Sequence, residues 1–385
     1  MSRKAVILAG GEGSRLRPLT FSRPKAMIPL ANTPIIEHVI RALVENGIRD
    51  ITVVVGYRKE QVIRHLNTLD LPISFAVQER QLGAAHALGC VANEIDEPFI
   101  LLPGDNYIDA ESIARIKNET ASVLIKEHPY PSNFGVVAVK DGFVWGIVEK
   151  PEYAPRFTVS TGIYTLTPEI FEYQNGVEIP EMVAEMIADG ARFKAVMARE
   201  WHDAIYPWDL LTINPRIMRQ VTPVRGGTLS MGVTIRGAVH IGDGTVIGPG
   251  STIIGPVIIG EDCEIGPNVV IMPNTSIGAR VRIDPFTFVE NAIIMNDSMI
   301  GSHSRCVDAV IGEGVLLADH SSVQTGHYVA EADGKLIGGK FGGIFGDRVI
   351  SAPFTVFNHC LVGNSVTIEE GRVIRDVIPD HAVVK

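Results

Sequence analysis

Several features are missing from this sequence, and each absence removes a class of protein. No apolar run approaches the roughly 18–20 residues needed to span a bilayer, so a membrane-spanning chain is not expected. The apolar stretch inside Met1 to Gly10 is too short for a signal h-region and meets a glycine-rich turn at once, which leads to the expectation of a cytoplasmic protein. Cysteine is scarce: Cys90, Cys263, Cys306 and Cys360 lie far apart and form no CxxC pair, which argues for buried reduced thiols over a zinc site or a disulfide framework. Positive charge is in deficit, with 34 Lys and Arg against 44 Asp and Glu, and after position 230 lysine occurs only at Lys335, Lys340 and Lys385. A chain with net charge −10 does not suit a nucleic-acid polyanion, although a small phosphate ligand needs only a local cationic pocket.

Glycine is sparse in one part and abundant in the other. Of 38 glycines, 14 fall in residues 1–225 and 22 in residues 230–385, about 6% against about 14%, beside a typical ~7%. Two architectures are therefore expected, with domains at 1–225 and 230–385 and a boundary near Thr222 to Ser230.

In the first part, short apolar runs alternate with helical patterns. Ala5 to Ala9, Ile51 to Val55, Ile73 to Val77 and Phe99 to Leu102 read as buried strands. Between them, Ile35, Ile36, Val39, Ile40 and Leu43 recur at helical spacing, and further helical segments fall near 59–67 and 83–93. This rhythm predicts an α/β Rossmann-like domain with a mostly parallel sheet, whose ligands bind beyond the carboxyl ends of the strands. Gly10 to Lys25 and Gly104-Asp105 sit at such ends.

The turn after the first strand reads Leu8-Ala9-Gly10-Gly11-Glu12-Gly13-Ser14-Arg15-Leu16-Arg17-Pro18-Leu19-Thr20, then Pro24-Lys25. Leu16 occupies the place where a dinucleotide fingerprint needs its third glycine, and no Gly-Lys-Ser/Thr of a Walker loop follows. What remains is a glycine turn closely followed by Arg15, Arg17, Arg23 and Lys25, a composition that suits phosphate.

In residue order this segment resembles the signature of sugar-1-phosphate nucleotidylyltransferases. The resemblance continues through Gln78, Gln81-Leu-Gly-Ala-Ala85, Pro103-Gly-Asp105, Phe134-Gly135, Val148-Glu-Lys-Pro151, Ser160-Thr-Gly-Ile163 and Trp201-His-Asp203, and so covers nearly all of the first part. It implies an enzyme that joins a nucleoside triphosphate to a sugar 1-phosphate and releases pyrophosphate. A phosphate nucleophile with second pKa near ~6 needs no general base, so cations and Mg²⁺ suffice. By the same resemblance Arg15 and Lys25 contact phosphates and Asp105 is a Mg²⁺ carboxylate, with Asp203 as the second and Asp209 as its rival. Leu8, Ala9, Gly10, Gly11, Gly13, Gln81 and Gly83 line the nucleotide, and Gln78 reads the base, favouring UTP or dTTP. Gly135, Glu149, Lys150 and Thr161 hold the sugar phosphate. Ser160 departs from the N-acetylglucosamine branch, which carries asparagine there.

In the second part the sequence steps by six: Ile241, Ile247, Ile253, Ile259, Ile265, Ile271, Ile277, Ile283 and Val289, with glycine next in five of the nine. Neither a helix nor a strand has that period; a hexapeptide β-helix does, with its anchors inward and glycines at the corners. The register slips near Met295 and resumes at Ile300-Gly301. This part resembles the left-handed parallel β-helix of hexapeptide-repeat proteins, which commonly form homotrimers or higher homo-oligomers. The two-part layout is similar to that of bifunctional enzymes on the bacterial and archaeal route to UDP-N-acetylglucosamine. That likeness implies a second, acetyl-CoA-dependent amine acetylation with His303 as catalytic base and Lys340 near acetyl-CoA. The family's Gly-Ala-Gly-Thr segment is missing here. Non-catalytic regulatory or assembly subunits share the layout and form the alternative reading.

Overall fold

The computed structural model describes residues 3–154, 157–173, 178–332 and 335–385. The chain forms two compact units. One comprises Met1–Glu12, Pro24–Met27 and Pro34–Asp203; the other comprises Gly13–Arg23, Ile28–Thr33 and Ala204–Lys385.

The first unit is built on a nine-stranded sheet. Its strands, in chain order, begin with β1 (Lys4–Ala9), β2 (Ile51–Val55), β3 (Ile73–Val77) and β4 (Phe99–Pro103). A short strand β5 (Asn106–Ile108) leaves the sheet, and β6 (Ser122–Glu127), β7 (Gly135–Lys140), β8 (Phe143–Glu149), β9 (Thr158–Leu166) and β10 (Phe193–Met197) return to it. The spatial order is β3-β2-β1-β4-β9-β6-β10-β8-β7. The half made by β1 to β4 is parallel, as the alternation of strands and helices predicts. Beyond β4 the sheet is mixed, because β9 runs antiparallel to both β4 and β6.

The helices α1 (Ile35–Glu45), α2 (Lys59–Leu66), α3 (Ala84–Gly89), α4 (Ala110–Ile116) and α5 (Ile179–Ala188) supply the connections. Alternation along the strands divides the apolar residues between two faces. Val6, Val54 and Leu101 share one core with Leu88 of α3 and Met182 and Val183 of α5. Every residue of β2 is buried, which explains why its sequence is a continuous Ile-Thr-Val-Val-Val run with no polar face.

The second unit contains α6 (Leu210–Met218) and a left-handed parallel β-helix. The nine anchors from Ile241 to Val289 are each at most 1% exposed. Parallel registers such as Ile241↔Ile259 and Ile259↔Ile277 show that three hexads make one coil. Burying one such isoleucine contributes about 1.5–3 kcal/mol, and coils stack only on their neighbours, so the prism is a sum of similar terms.

The slip near Met295 has a simple geometric cause. Ile277 pairs with Ile294 and Val289 with Cys306, so the coil that starts here is shorter by a single position than those before it. The missing residue is lost at one corner, between Val289 and Ile294, where Asn291 adopts φ 45°. Asp308 (φ 50°) and His359 (φ 44°) repeat that corner in later coils, and Asn291 Nδ2 donates to Asp308 Oδ1 at 2.6 Å. At the same corner the hairpin Gly326–Ala332 with Lys335–Phe341 interrupts the repeat.

The glycines do not occupy the corners in the expected way. The left-handed corner residue stands three positions after the anchor and is mostly not glycine: Asp262, Asn268, Asn274, Arg280, Phe286, His303 and His320 all have positive φ. The glycine that follows the anchor serves close stacking. A Cβ on Gly242 would lie 2.6 Å from the carbonyl carbon of Gly260 in the next coil.

Three of the four cysteines are buried and all are free, in keeping with the reduced thiols expected. Burial pushes the Cys306 and Cys360 thiols up to about 12. Among the described residues no helix is long and apolar enough to cross a membrane.

Candidate active site

The turn after β1 lies at the carboxyl ends of the parallel strands. Gly104 N donates to Leu8 O at 2.8 Å, and Tyr57 N donates to Gly10 O at 3.0 Å. Gly10 and Gly11 are thereby set between the ends of β2 and β4, with Leu8 and Ala9 completing the strand beneath them. This close approach requires small residues, because a Cβ on Gly104 would stand 3.0 Å from both Ala9 Cβ and Ile7 Cγ2.

Lys25 is 7% exposed, and its ammonium reaches two carboxylates. Lys25 Nζ lies 3.1 Å from Asp105 Oδ2 and 2.5 Å from Asp203 Oδ1. Burial alone would lower the Lys25 pKa, but Asp105 and Asp203 outweigh it and hold the ammonium above its ordinary range. For Asp203, burial and the nearby Asp105 charge push the pKa up against the pull of Lys25.

Register explains how Asp203 arrives. Trp201–Asp203 forms β11, which pairs antiparallel with β5 and sets Asp203 opposite Asn106, the residue after Asp105. Two carboxylates that share one cation within 3.1 Å form a hard-oxygen pair of the kind that takes Mg²⁺ alongside substrate phosphates. Among the described residues no group of three or more His, Cys, Asp or Glu gathers to make an all-protein metal cage.

Gln78 follows β3, is 4% exposed, and its Nε2 lies 3.1 Å from Gly83 O and 3.1 Å from His86 Nδ1. Gly83 has φ 99°, a conformation that favours glycine, and opens α3. The Gln81 amide lies beside Gly56: a Cβ there would stand 3.1 Å from Gln81 Nε2.

At the other end of the mixed sheet, Lys150 Nζ pairs with Glu149 Oε1 at 2.6 Å. Gly135 is packed against that same glutamate, 3.1 Å from Oε2 to a notional Cβ. The Thr161 hydroxyl donates to Leu124 O at 2.8 Å and accepts from Ile163 N at 3.3 Å, so it is committed to the main chain. Ser160 Oγ bonds Tyr164 OH at 2.7 Å.

The segment Gly13–Arg23 belongs to the second unit. Gly13 has φ 74° and leads into the short helix Ser14–Leu16, on which Arg15 is exposed. Arg23, counted among the phosphate cations on composition, is instead bound to carboxylates: its Nη2 lies 2.7 Å from Asp347 Oδ2 and 3.2 Å from Glu313 Oε2. Asp209 is a cap, since its Oδ2 accepts from Ile205 N at 2.9 Å and Tyr206 N at 2.8 Å.

His303 occupies a β-helix corner at φ 56°. Its ring stacks on Phe286 at 5.0 Å and on His320 at 5.2 Å, and His320 stacks on Phe354 at 4.7 Å. Lys340 is exposed on the hairpin, opposite His327. The adjacent Gly339 has a packing reason: a Cβ there would be 2.5 Å from Trp208 Cδ1. Trp208 also stacks on Phe341 at 5.3 Å.

Sequence reading missed several residues that shape these places. Asn106, Asp347 and Trp208 act through partners far away in sequence, and nothing local marks them. His128 packs edge-on against Phe134 at 4.7 Å, and burial holds its imidazole below the usual range.

Comparison with known proteins supplies the wider setting. Residues 4–219 match the family described as nucleotidyl transferase, and residues 253–384 match the GMPPB C-terminal domain. The low-salt glycan biosynthesis nucleotidyltransferase Agl11 of Haloferax volcanii is 31% identical over 331 residues, 81% of this chain and 92% of that protein. The UTP–glucose-1-phosphate uridylyltransferase AglF of the same organism is 37% identical over 238 residues, 57% of this chain and 98% of that protein. The bifunctional protein GlmU of Methanococcus maripaludis is 34% identical over 254 residues, 63% of this chain, and the match spans only 61% of that relative's length. Among solved structures, a putative glucose-1-phosphate thymidylyltransferase from Bacillus anthracis superposes with TM-score 0.52 at 25% identity, covering 58% of this chain and 98% of that one. With a family match across more than half of its length and these relatives beside it, the chain belongs to the nucleotidyl transferase family, in the company of sugar-1-phosphate nucleotidyltransferases.

Proposed function

We propose that this protein joins a nucleoside triphosphate, UTP or dTTP, to a sugar 1-phosphate and releases pyrophosphate. The observation that carries this reading is the buried Lys25 ammonium held between the partly exposed carboxylates Asp105 and Asp203 at the strand ends. An oxygen of the sugar phosphate forms a bond to the α-phosphorus as the bond from that phosphorus to the β-bridging oxygen breaks, and pyrophosphate leaves with the electron pair. The nucleophile is already ionised near neutral pH, so the site has to position two anions and offset their charge. Lys25, held protonated by its two carboxylates, meets the phosphates as a cation. Arg15, exposed on its short helix, carries a guanidinium suited to a second phosphate contact. Asp105 and Asp203 are the residues that would hold Mg²⁺, which supplies charge neutralisation at the transferring phosphorus when bound. Gln78 with Gly83 faces the base, and Gly135, Glu149, Lys150 and Thr161 frame the sugar phosphate.

This assigns the chemistry to residues 1–225 and leaves the β-helix, residues 230–385, to assembly into a homotrimer or a higher oligomer. Met299, Leu316 and Ile350 stand in register along one outward face of the β-helix, with Leu316 36% and Ile350 51% exposed. That apolar stripe supports self-association. The geometry of His303 favours a ring-stacking role over catalysis of acetyl transfer from acetyl-CoA.

The test is pyrophosphate release with UTP or dTTP, glucose 1-phosphate and Mg²⁺. Release that depends on all three supports the proposal. Silence across a screen of nucleoside triphosphates and sugar 1-phosphates would leave the non-catalytic, regulatory reading in its place.

A further inference from the structure

We infer that His86 fixes the polarity of the Gln78 carboxamide and thereby makes base recognition acceptor-only. This rests on the proposed reading that Gln78 faces the base. Two contacts set the orientation. Gln78 Nε2 lies 3.1 Å from Gly83 O and 3.1 Å from His86 Nδ1. A main-chain carbonyl only accepts, so the amide atom facing Gly83 is the NH₂ group, and Oε1 is directed away. One amide hydrogen goes to Gly83 O. The other points at His86 Nδ1, which must then carry the lone pair, with the imidazole proton on Nε2.

Both donors of Gln78 are therefore engaged, and what remains is Oε1. That oxygen lies against Gly10 in the turn after β1, so close that a Cβ on Gly10 would be 2.5 Å from it. Gln78 is 4% exposed and its main-chain N–H is bound to Val55 O at 2.8 Å, so the side chain has one anchored origin. Without His86, one amide hydrogen loses its partner, and the carboxamide is held by Gly83 alone.

A lone acceptor set opposite the ring nitrogen of the pairing edge selects a base that carries an N–H at that nitrogen. Uracil and thymine present N3–H, and guanine presents N1–H. Cytosine N3 and adenine N1 present lone pairs there, which oppose Oε1. His86 is exposed and needs no contact with the nucleotide to act this way; it is a positioning residue. The same short helix α3 that begins after Gly83 carries His86, so one element supplies both partners of Gln78.

The experiment measures binding of UTP and CTP by calorimetry on the full chain, in the wild type and in Gln78→Ala, His86→Ala and His86→Asn. Asparagine can present an acceptor where Nδ1 stands. The expected result is a wild-type preference for UTP, lost in Gln78→Ala and reduced about tenfold in His86→Ala, in line with one net hydrogen bond. His86→Asn should restore the preference to within about threefold of wild type, a rescue that a purely structural histidine would not produce. Unfolding temperatures of all four proteins confirm that the variants fold. Full preference in His86→Ala, with preference lost in Gln78→Ala, overturns the role of His86 and spares that of Gln78. Full preference in Gln78→Ala overturns the reading of Gln78 itself, and a wild-type preference for CTP overturns the assigned polarity.

Discussion

Lys25 Nζ and Asp203 Oδ1 stand 2.5 Å apart although 178 positions separate them in the chain. The contact exists because β11 places Asp203 beside the Asp105–Asn106 turn, and Lys25 reaches both carboxylates from the end of the signature loop. Removing the cation leaves two carboxylates facing each other. Lys25→Met should therefore unfold at lower temperature than the wild type, and added Mg²⁺ should raise its melting temperature by more than it raises that of the wild type. A calorimetric scan with and without Mg²⁺ reads both effects. Equal Mg²⁺ responses would show that Mg²⁺ does not take the place of the Lys25 ammonium between the two carboxylates.

Asp105→Asn and Asp203→Asn each remove charge from the cluster while keeping its shape. We expect turnover to fall by roughly 10²–10³ in each, the scale on which one electrostatic group contributes to such a step. Asp209→Asn should retain turnover and its metal dependence within about threefold. The cap it weakens costs about 0.5–2 kcal/mol of stability, measured by denaturant unfolding. A collapse of metal-dependent activity in Asp209→Asn would reverse the choice between the two aspartates.

Arg23 and Asp347 make a largely buried ion pair, with side chains 12% and 8% exposed. Asp347→Ala leaves the Arg23 charge to the more exposed Glu313, with Met295 Sδ beside it, and about 3–5 kcal/mol of stability should be lost. The segment Gly13–Arg23 should also become more open to protease, because Asp347 holds Ser22 as well as Arg23. Limited proteolysis with mapped cleavage sites checks this, and an unchanged map would mean that other contacts hold the segment.

Glu37 accepts from His65 at 2.7 Å and from Arg41. Burial alone would raise its pKa, but the hydrogen bond from His65 and the Arg41 charge hold it below the ordinary carboxylate value of 4.5. A depressed folded pKa contributes stability above the unfolded value and loses it as pH falls through the folded one. The stability gap between wild type and Glu37→Gln should be full at pH 7, begin to shrink below 4.5, and be smallest in stronger acid. A gap that is constant from pH 7 into acid would remove Glu37 from the account.

His303→Ala should cost about 1–3 kcal/mol, the range of two ring-stacking contacts. Thiol release from acetyl-CoA with glucosamine 1-phosphate should be at background in both the wild type and this variant. Release that His303→Ala abolishes would return His303 to catalysis.

Much of this was readable in advance, and for physical reasons. The six-residue step of Ile241 to Val289 reports burial directly, because every anchor points into one narrow prism. The glycine turn and its position after β1 follow from short-range constraints on the backbone. What escaped depends on pairing. Nothing near Arg23 announces Asp347, so a cation that composition would give to phosphate is bound to a carboxylate 324 positions away. His303 fits a motif, yet its left-handed corner and its stack on Phe286 and His320 come from the way successive coils align, which shows only in three dimensions. The mixed half of the sheet was hidden for the same reason: strand direction in β6 to β10 is a matter of connection, not of local pattern.

The allegiance of Gly13–Arg23 has a practical consequence. Asn364 donates to Pro18 O at 3.1 Å and Asp347 binds Arg23, so a short segment near the amino terminus completes a surface made by the carboxyl-terminal repeat. Cutting the gene between codons 225 and 230, where composition changes, would strip that segment of its neighbours and leave the coils without a strip of their covering. The segments of the two compact units alternate along the chain, so a clean truncation calls for redesign of residues 13–23 first.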